Sequence, residues 1–565
     1  MDLRTVGGMG QLSRREDTGV NLGSQTQAPP AVAAVEADAP ESLVFRQLAN
    51  GDLEDAGFFV EPQALDYNLL VKSGIRARTF LVALCIAASF VVSSSALFAK
   101  PRTARTPLTL SDLLAQAAAR GPARGSGISI SVAELNTGAT VYERNPSSPE
   151  TIASLTKLFS SAAALHYLGP DYRFKTTFWR KGDVRDGILQ GSLLVVGGGD
   201  PNISGRFYED DSFAIFDKWA AGLRQAGIVR VAGDLVLNAG AFDNVYRHPD
   251  WPESRDTRWY QAPISALSYN DNCVLVSVGR DGLPGAPTFV AIDPNTDLVQ
   301  TVGRPRTVGN TGRIRVAVSR PTGSNVVKVS GIVPARYFRW SSPLAIDDPP
   351  KFFGAALRSR LAAAGIELVG SVVERDEPAD NSWLLVATTE SNLLPTLAVA
   401  NKRSQSFYAE QIFKTLAFEK AGRGSWDKAL DLTKQFIAGL GLDPAQYALR
   451  DGSGLSDGNR VSSADLVRFL RAMNQHPQGA AWKATLAVSG DQEGSLRHRL
   501  LWTSTRGQIE AKTGTLNGVS TLAGYATASS GKAYAFAILL NGPRVSESRG
   551  HAFQDRLLKI LVERG

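Results

Sequence analysis

The sequence predicts an α+β chain, with an antiparallel sheet and helices on both sides of it, interrupted by a large, mainly β insert. Three observations predict it. Residues Ile128–Glu143 alternate, turn at Asn136–Gly138 and alternate again, directly ahead of an Ala- and Leu-rich helical run. Residues 171–383 change texture, with short β-like runs such as Gly191–Asp200 and Val229–Asn238 set between Gly, Pro, Asn and Asp turns. From Asn392 the chain turns helical, and it closes on three strand-like runs between Gln508 and Leu540.

Residues 1–75 scatter Gly, Gln, Ala, Pro and acids without a period and read as a disordered tail. Residues 76–99 follow Lys72 and bring Arg76 and Arg78 to an apolar run from Phe80 to Val92, with small residues at Ser94 and Ala96. That is the composition of a secretory signal; carried on through Ala99 it is also long enough for a membrane anchor. Because such a signal normally opens the chain, we expect translation to begin near Val71. Leu108–Arg120 has helical spacing, and the first catalytic segment, 108–170, ends after the run containing Ser154. Pro149 and Glu150 there read as the first turn of a helix. Gly197-Gly198-Gly199 has no following Lys and reads as a turn, not a phosphate loop. A helix is expected over Phe352–Ile366. The second catalytic segment, 384–565, contains a helix capped by Ser462 with Asp465 three residues on, and a closing helix over 546–562.

At 565 residues the chain is too long for a single core. A net charge of +7 suits an anionic partner such as an acidic cell-wall polymer, but no Lys/Arg block interleaved with aromatics points to nucleic acid. Only Cys85 and Cys273 are present, so there is no disulfide framework. The five histidines are dispersed without metal spacing and read as surface or structural; no cofactor is called for.

The reactive centre is expected at Ser154 and Lys157. A three-residue spacing on a helix brings an amine to a hydroxyl, and an amine can act as base only if burial or a second cation lowers its pKa. Lys512, in Lys512-Thr513-Gly514-Thr515 on an expected edge strand, is the candidate cation.

These motifs, with Gly197–Asn202, Ala262–Asn272, Asn401–Glu410 and Asp451–Ser456, resemble the serine penicillin-binding proteins, in particular the D-alanyl-D-alanine carboxypeptidase/endopeptidases of the penicillin-binding protein 4 type, over roughly residues 108–565. The resemblance implies a transpeptidase/β-lactamase-like sandwich, with the insert as extra domains. It implies an acyl-enzyme on Ser154, Lys157 as base, Ser404 relaying a proton, and an oxyanion site at the backbone of Ser154 and Thr515. It also implies that Lys512 keeps Lys157 uncharged and, with Ser406, Thr513, Gly514 and Thr515, binds the substrate. Peptidoglycan peptides would be the substrate, β-lactams covalent inhibitors, and the periplasm, free or at the inner membrane, the location. One motif departs: the family's S-x-N becomes Ser404-Gln405-Ser406, preferred over Ser268-Tyr269-Asn270 in the insert. The Asp451–Ser456 loop is expected near the cleft in a structural role. A serine β-lactamase or esterase, and a wall-binding protein whose catalysis has decayed, are the competing readings.

Overall fold

The closing run Ala533–Asn541 shows how the core is built. Its residues alternate between large and small, with Tyr534, Phe536, Ile538 and Leu540 on one face and Ala535, Ala537 and Leu539 on the other, all buried. The large face packs against Leu557, Leu558 and Leu561 of the terminal helix Glu547–Arg564 and Leu114 of the helix Leu110–Ala119. The alanine face lets the helix Ser463–Gln475 approach closely from the other side. Burying both faces of a strand removes about 1.5–3 kcal/mol of apolar exposure per large side chain.

This run is central in a six-stranded antiparallel sheet. The order is Ala487–Val488, Ile509–Leu516, Val519–Thr527, Ala533–Asn541, Gly127–Glu134, Thr140–Arg144. The sequence order thus closes late strands onto early ones, with helices on both sides as expected. The computed structural model describes residues 107–121, 127–280, 284–285 and 287–565. The expected tail, the signal or anchor segment and Cys85 lie outside the described residues. Among the described residues no helix is long and apolar enough to cross a membrane.

Between the two parts of this sheet the chain builds a seven-stranded sheet, a three-stranded sheet and a four-stranded sheet. The helices Ala214–Gln225 and Pro349–Ala363 pack with the first of these. Its last strand, Leu384–Asn392, pairs with Arg173–Arg185 from Arg180 to Arg173, so this sheet continues past the boundary expected at 383. The strand's own polar alternation (T-T-E-S-N) hid it ahead of a strong helical signal. Cys273 is buried and free.

The insert is tied to the helix Ser406–Ala421 along its length. Gln405 Nε2 donates to Asp271 at 3.2 Å, and Arg206 Nε donates to the Tyr408 hydroxyl at 3.0 Å. Gln411 Nε2 donates to Ser265 O and Ser268 Oγ, and Lys414 Nζ donates to Asp243 and to Val245 O. Ser268-Tyr269-Asn270 is buried inside these contacts, which gives it a structural use.

Candidate active site

Ser154 is set by a backbone reversal, not by the helix start the sequence suggested. Pro149–Thr151 is a short strand paired with Arg460–Ser462, and the Asn541 amide clamps both the N–H and C=O of Thr151 at 3.1 Å. Ala153 then takes a left-handed φ of 48°, costly for a residue with a Cβ. A single 3₁₀ turn, Ala153–Leu155, leads into the helix Thr156–Leu168. Proline and an acid favour a first helical turn in isolation; here tertiary pairing overrides that preference.

The three-residue spacing still brings the pair together. Lys157 Nζ lies 2.9 Å from Ser154 Oγ, 3.3 Å from Ser406 Oγ and donates to Ser453 O at 2.7 Å. Lys157 is fully buried, and burial pulls its pKa down to about 8, against the attraction of the Glu410 and Asp451 carboxylates. Lys512 Nζ donates to Ser404 Oγ at 2.7 Å and to Thr513 O at 2.8 Å. It too is fully buried, and burial, reinforced by the positive charge of Lys157, holds it well below the ordinary lysine value. Burial is thus the leading cause of the low proton affinity of both amines, and Lys512, the cation expected to repel Lys157, lies in the same buried site.

Ser404, with a left-handed φ of 56°, stands between the helices Leu393–Lys402 and Ser406–Ala421 and turns its hydroxyl to Lys512. Ser406, expected among the substrate contacts, faces Lys157 as well as the cleft. Its shorter side chain retains a contact to the amine while lacking an amide fork.

The strand Ile509–Leu516 presents an open edge to the nucleophile turn. Its outer neighbour, Ala487–Val488, pairs only with Ala511 and Glu510, and among the described residues no strand pairs beyond them. A Cβ on Gly514 would stand 2.7 Å from Ile152 O and 3.1 Å from Ser154 N, so the glycine is what permits this approach. Thr513 Oγ1 donates to Ser495 Oγ at 2.9 Å, and Thr515 lines the cleft.

The Asp451–Ser456 loop packs on the same turn. Gly454 has φ 89°, and a Cβ there would fall 2.0 Å from Ala153 O. Replacing Gly454 with Ala should destabilise the protein by about 2–3 kcal/mol through the strained φ and a backbone clash that cannot yield. A lowered thermal midpoint checks it. Sequence reading placed this loop near the cleft but missed that its Ser453 carbonyl is a partner of Lys157; only the fold joins them.

Ser154, Ser404, Ser406, Thr513 and Thr515 all open on one cleft of about 800 Å³. Its far wall comes from the insert, with Arg255, Arg258, Trp259 and Trp340. His498 also lines the cleft, and His166 and His476 stand 3.0 Å apart, so the histidines are less dispersed than their spacing suggests. Among the described residues no cluster of three metal-ligating side chains occurs.

Comparison with known proteins gives concordant findings. The family described as D-Ala-D-Ala carboxypeptidase 3 (S13) matches residues 110–563. A D-alanyl-D-alanine carboxypeptidase of Actinomadura sp. (strain R39) is 31% identical over 511 residues, covering 87% of this chain and 91% of that protein. The D-alanyl-D-alanine carboxypeptidase DacB of Haemophilus influenzae is 26% identical over 426 residues, covering 74% and 86%. In fold, the chain is similar to the crystal structure of penicillin binding protein 4 from Haemophilus influenzae, with a TM-score of 0.70 at 24% identity, covering 81% of this chain and all of that one. The same protein complexed with a β-lactam aligns with a TM-score of 0.66 at 23% identity, covering 80% of this chain and 99% of that one.

Proposed function

The chain belongs to the D-Ala-D-Ala carboxypeptidase 3 (S13) family of serine peptidases, and from that premise we propose that it releases the terminal D-alanine of peptidoglycan stem peptides through an acyl-enzyme on Ser154. One observation carries this reading. Two buried amines from distant parts of the chain each touch a serine hydroxyl on one cleft, Lys157 at 2.9 Å and Lys512 at 2.7 Å.

The step proceeds as follows. Uncharged Lys157 takes the proton of Ser154 as Oγ bonds to the carbonyl carbon of the penultimate D-alanine. The backbone N–H groups of Ser154 and Thr515 receive the oxyanion, each worth roughly 3–4 kcal/mol in the transition state. The C–N bond then breaks, and the proton passes through Ser404 to the leaving amine. Water attacks the ester and restores Ser154. A terminal substrate carboxylate arriving at Lys512, Thr513 and Thr515 draws a proton back onto Lys512, and its charge lowers the proton affinity of Lys157 further. Binding the correct end of the peptide thereby prepares the base.

Cross-linked peptides present the same amide with a larger leaving amine, and the cleft of about 800 Å³ offers room for them, which supports an endopeptidase activity as well. β-Lactams would acylate the same hydroxyl. The periplasm is the proposed site of action, supported by the signal-like segment 76–99; retention of that segment would fix the protein at the inner membrane.

Incubation with purified muropeptides, followed by mass measurement, tests the reading. Loss of one D-alanine or of a cross-link is the expected result; intact peptides beside a penicillin-acylated Ser154 would instead mark a protein that binds wall peptides without cutting them. A second expectation concerns pH. Below about 8 the Lys157 amine carries a proton and has no lone pair to offer, so acylation by a fluorescent penicillin should fall about tenfold per pH unit as pH drops and level off above 8. Stopped-flow labelling across pH 5.5–9.5 reads this directly.

A further inference from the structure

We infer that Glu410 is a positioning residue for the Lys157 amine, acting through the Gly452–Ser453 turn and through its own negative charge. The inference rests on Lys157 being the base.

Glu410 is fully buried on the helix Ser406–Ala421, one turn beyond Ser406. Its Oε2 accepts from the Trp426 indole N–H at 2.8 Å and from the Gly452 N–H at 3.1 Å. The carbonyl of the next residue, Ser453, is the shortest contact of Lys157 Nζ, at 2.7 Å. The carboxylate therefore grips one side of a turn whose other side grips the amine.

The neighbouring acid has a different task. Asp451 accepts from the N–H groups of Gly454 and Ser456, from the Asn459 amide and from the Trp251 indole, and so shapes its own loop. Four donors compensate that charge. Glu410 Oε2 accepts from two N–H donors, with the Ser453 hydroxyl also close enough to favour its charged form, and a glutamine oxygen could accept from the two N–H groups as well. What a glutamine could not supply is the charge, and full burial makes an under-compensated charge costly. The charges facing Lys157 are Glu410 from the helix, Asp451 from the loop and Lys512 from the strand. Those facing Glu410 are Lys157 itself, Asp451 across the loop and Lys414 one turn along its own helix. Burial and Asp451 raise the pKa of Glu410 above the usual carboxylate range, while both carboxylates raise that of Lys157 against its own burial. Glu410 thus holds the base's proton affinity up, within reach of neutral pH, where burial alone would place it lower.

The test is the pH dependence of acylation by a fluorescent penicillin in the full chain, comparing wild type, Glu410→Gln and Glu410→Asp. Glu410→Gln leaves both hydrogen-bond acceptances available and removes the charge. Its acid limb should move down by about one pH unit, with full labelling stoichiometry and a plateau rate within about threefold of wild type. Glu410→Asp keeps the charge and shortens the reach to Gly452. Its limb should stay in place while the plateau rate falls about tenfold. A Glu410→Gln limb that does not move, whatever its plateau, overturns the proposal and leaves Glu410 a structural residue. If Glu410→Gln fails to fold, a Glu410→Asp plateau equal to wild type overturns it equally. A wild-type profile with no acid limb near 8 would instead remove Lys157 from the role of base, which separates failure of the underlying reading from failure of this one.

Discussion

Ser154→Ala should abolish covalent labelling by a fluorescent penicillin and lower turnover of a D-Ala-D-Ala peptide by at least about 10⁴-fold, the scale on which removal of a nucleophile acts in acyl-transfer enzymes. The fold should be unaffected. Ser154 lies at the cleft surface, and the turn that carries it is held by the Asn541 clamp and by Thr521 Oγ1 donating to Ile152 O at 2.9 Å, none of which involves the serine hydroxyl. Labelling measured by gel fluorescence and a thermal midpoint measured in parallel make the check. Labelling that persists at the wild-type rate, with its site mapped by peptide mass, would take the nucleophile's role away from Ser154.

Lys157→Met should give the second-largest effect. The side chain is similar in length and is at home in a buried site, but it cannot receive a proton. General-base assistance typically contributes 10²–10⁴-fold, so acylation should fall by about 10³-fold, and the acid limb near pH 8 should disappear along with it. Thermal stability should be retained or rise, because a fully buried amine is replaced by an apolar group. The opposite pattern, in which the rate is kept and the protein is destabilised, would make Lys157 a structural anchor of the Ser453 loop. Rate and melting temperature therefore answer separate questions.

How far the site could be read in advance follows from the range of each interaction. Ser154 and Lys157 were legible because a three-residue spacing is local and survives whether the turn is α or 3₁₀. Lys512 was legible because Lys-Thr-Gly-Thr follows Ser-x-x-Lys in the order the family resemblance implies, and Gly514 is small for a reason that the strand's approach to Ile152 now shows. The hairpin Gly127–Glu134 and Thr140–Arg144, the capped helix after Ser462 and the closing meander carried periodicity strong enough to be placed nearly to the residue. Pro149 and Glu150 misled because their local preference for a helix start was outweighed by pairing with Arg460–Ser462, more than 300 residues away in the chain. Glu410, Asp451 and the Ser453 carbonyl lie in motifs that the resemblance marked, but nothing local tied them to Lys157: one is an acid inside a helical run and the others belong to a loop rich in glycine. Only the packing of that loop on Ala153 and Ser154 makes them neighbours of the amine. The burial of both amines was out of reach for a related reason, since a sequence shows which charges exist but not which of them lose their water.

The attachment of the insert to the helix Ser406–Ala421 bears on how this enzyme can be engineered. Four side chains facing the insert, Gln405, Tyr408, Gln411 and Lys414, would lose their partners if residues 171–392 were excised, and a buried lysine and a buried glutamine would be among the orphans. A minimal version made by joining the two catalytic segments would therefore release the very helix whose first residues flank the amines. Smaller variants are better sought at the four-stranded sheet around Val326–Pro334, whose strands supply none of those anchors.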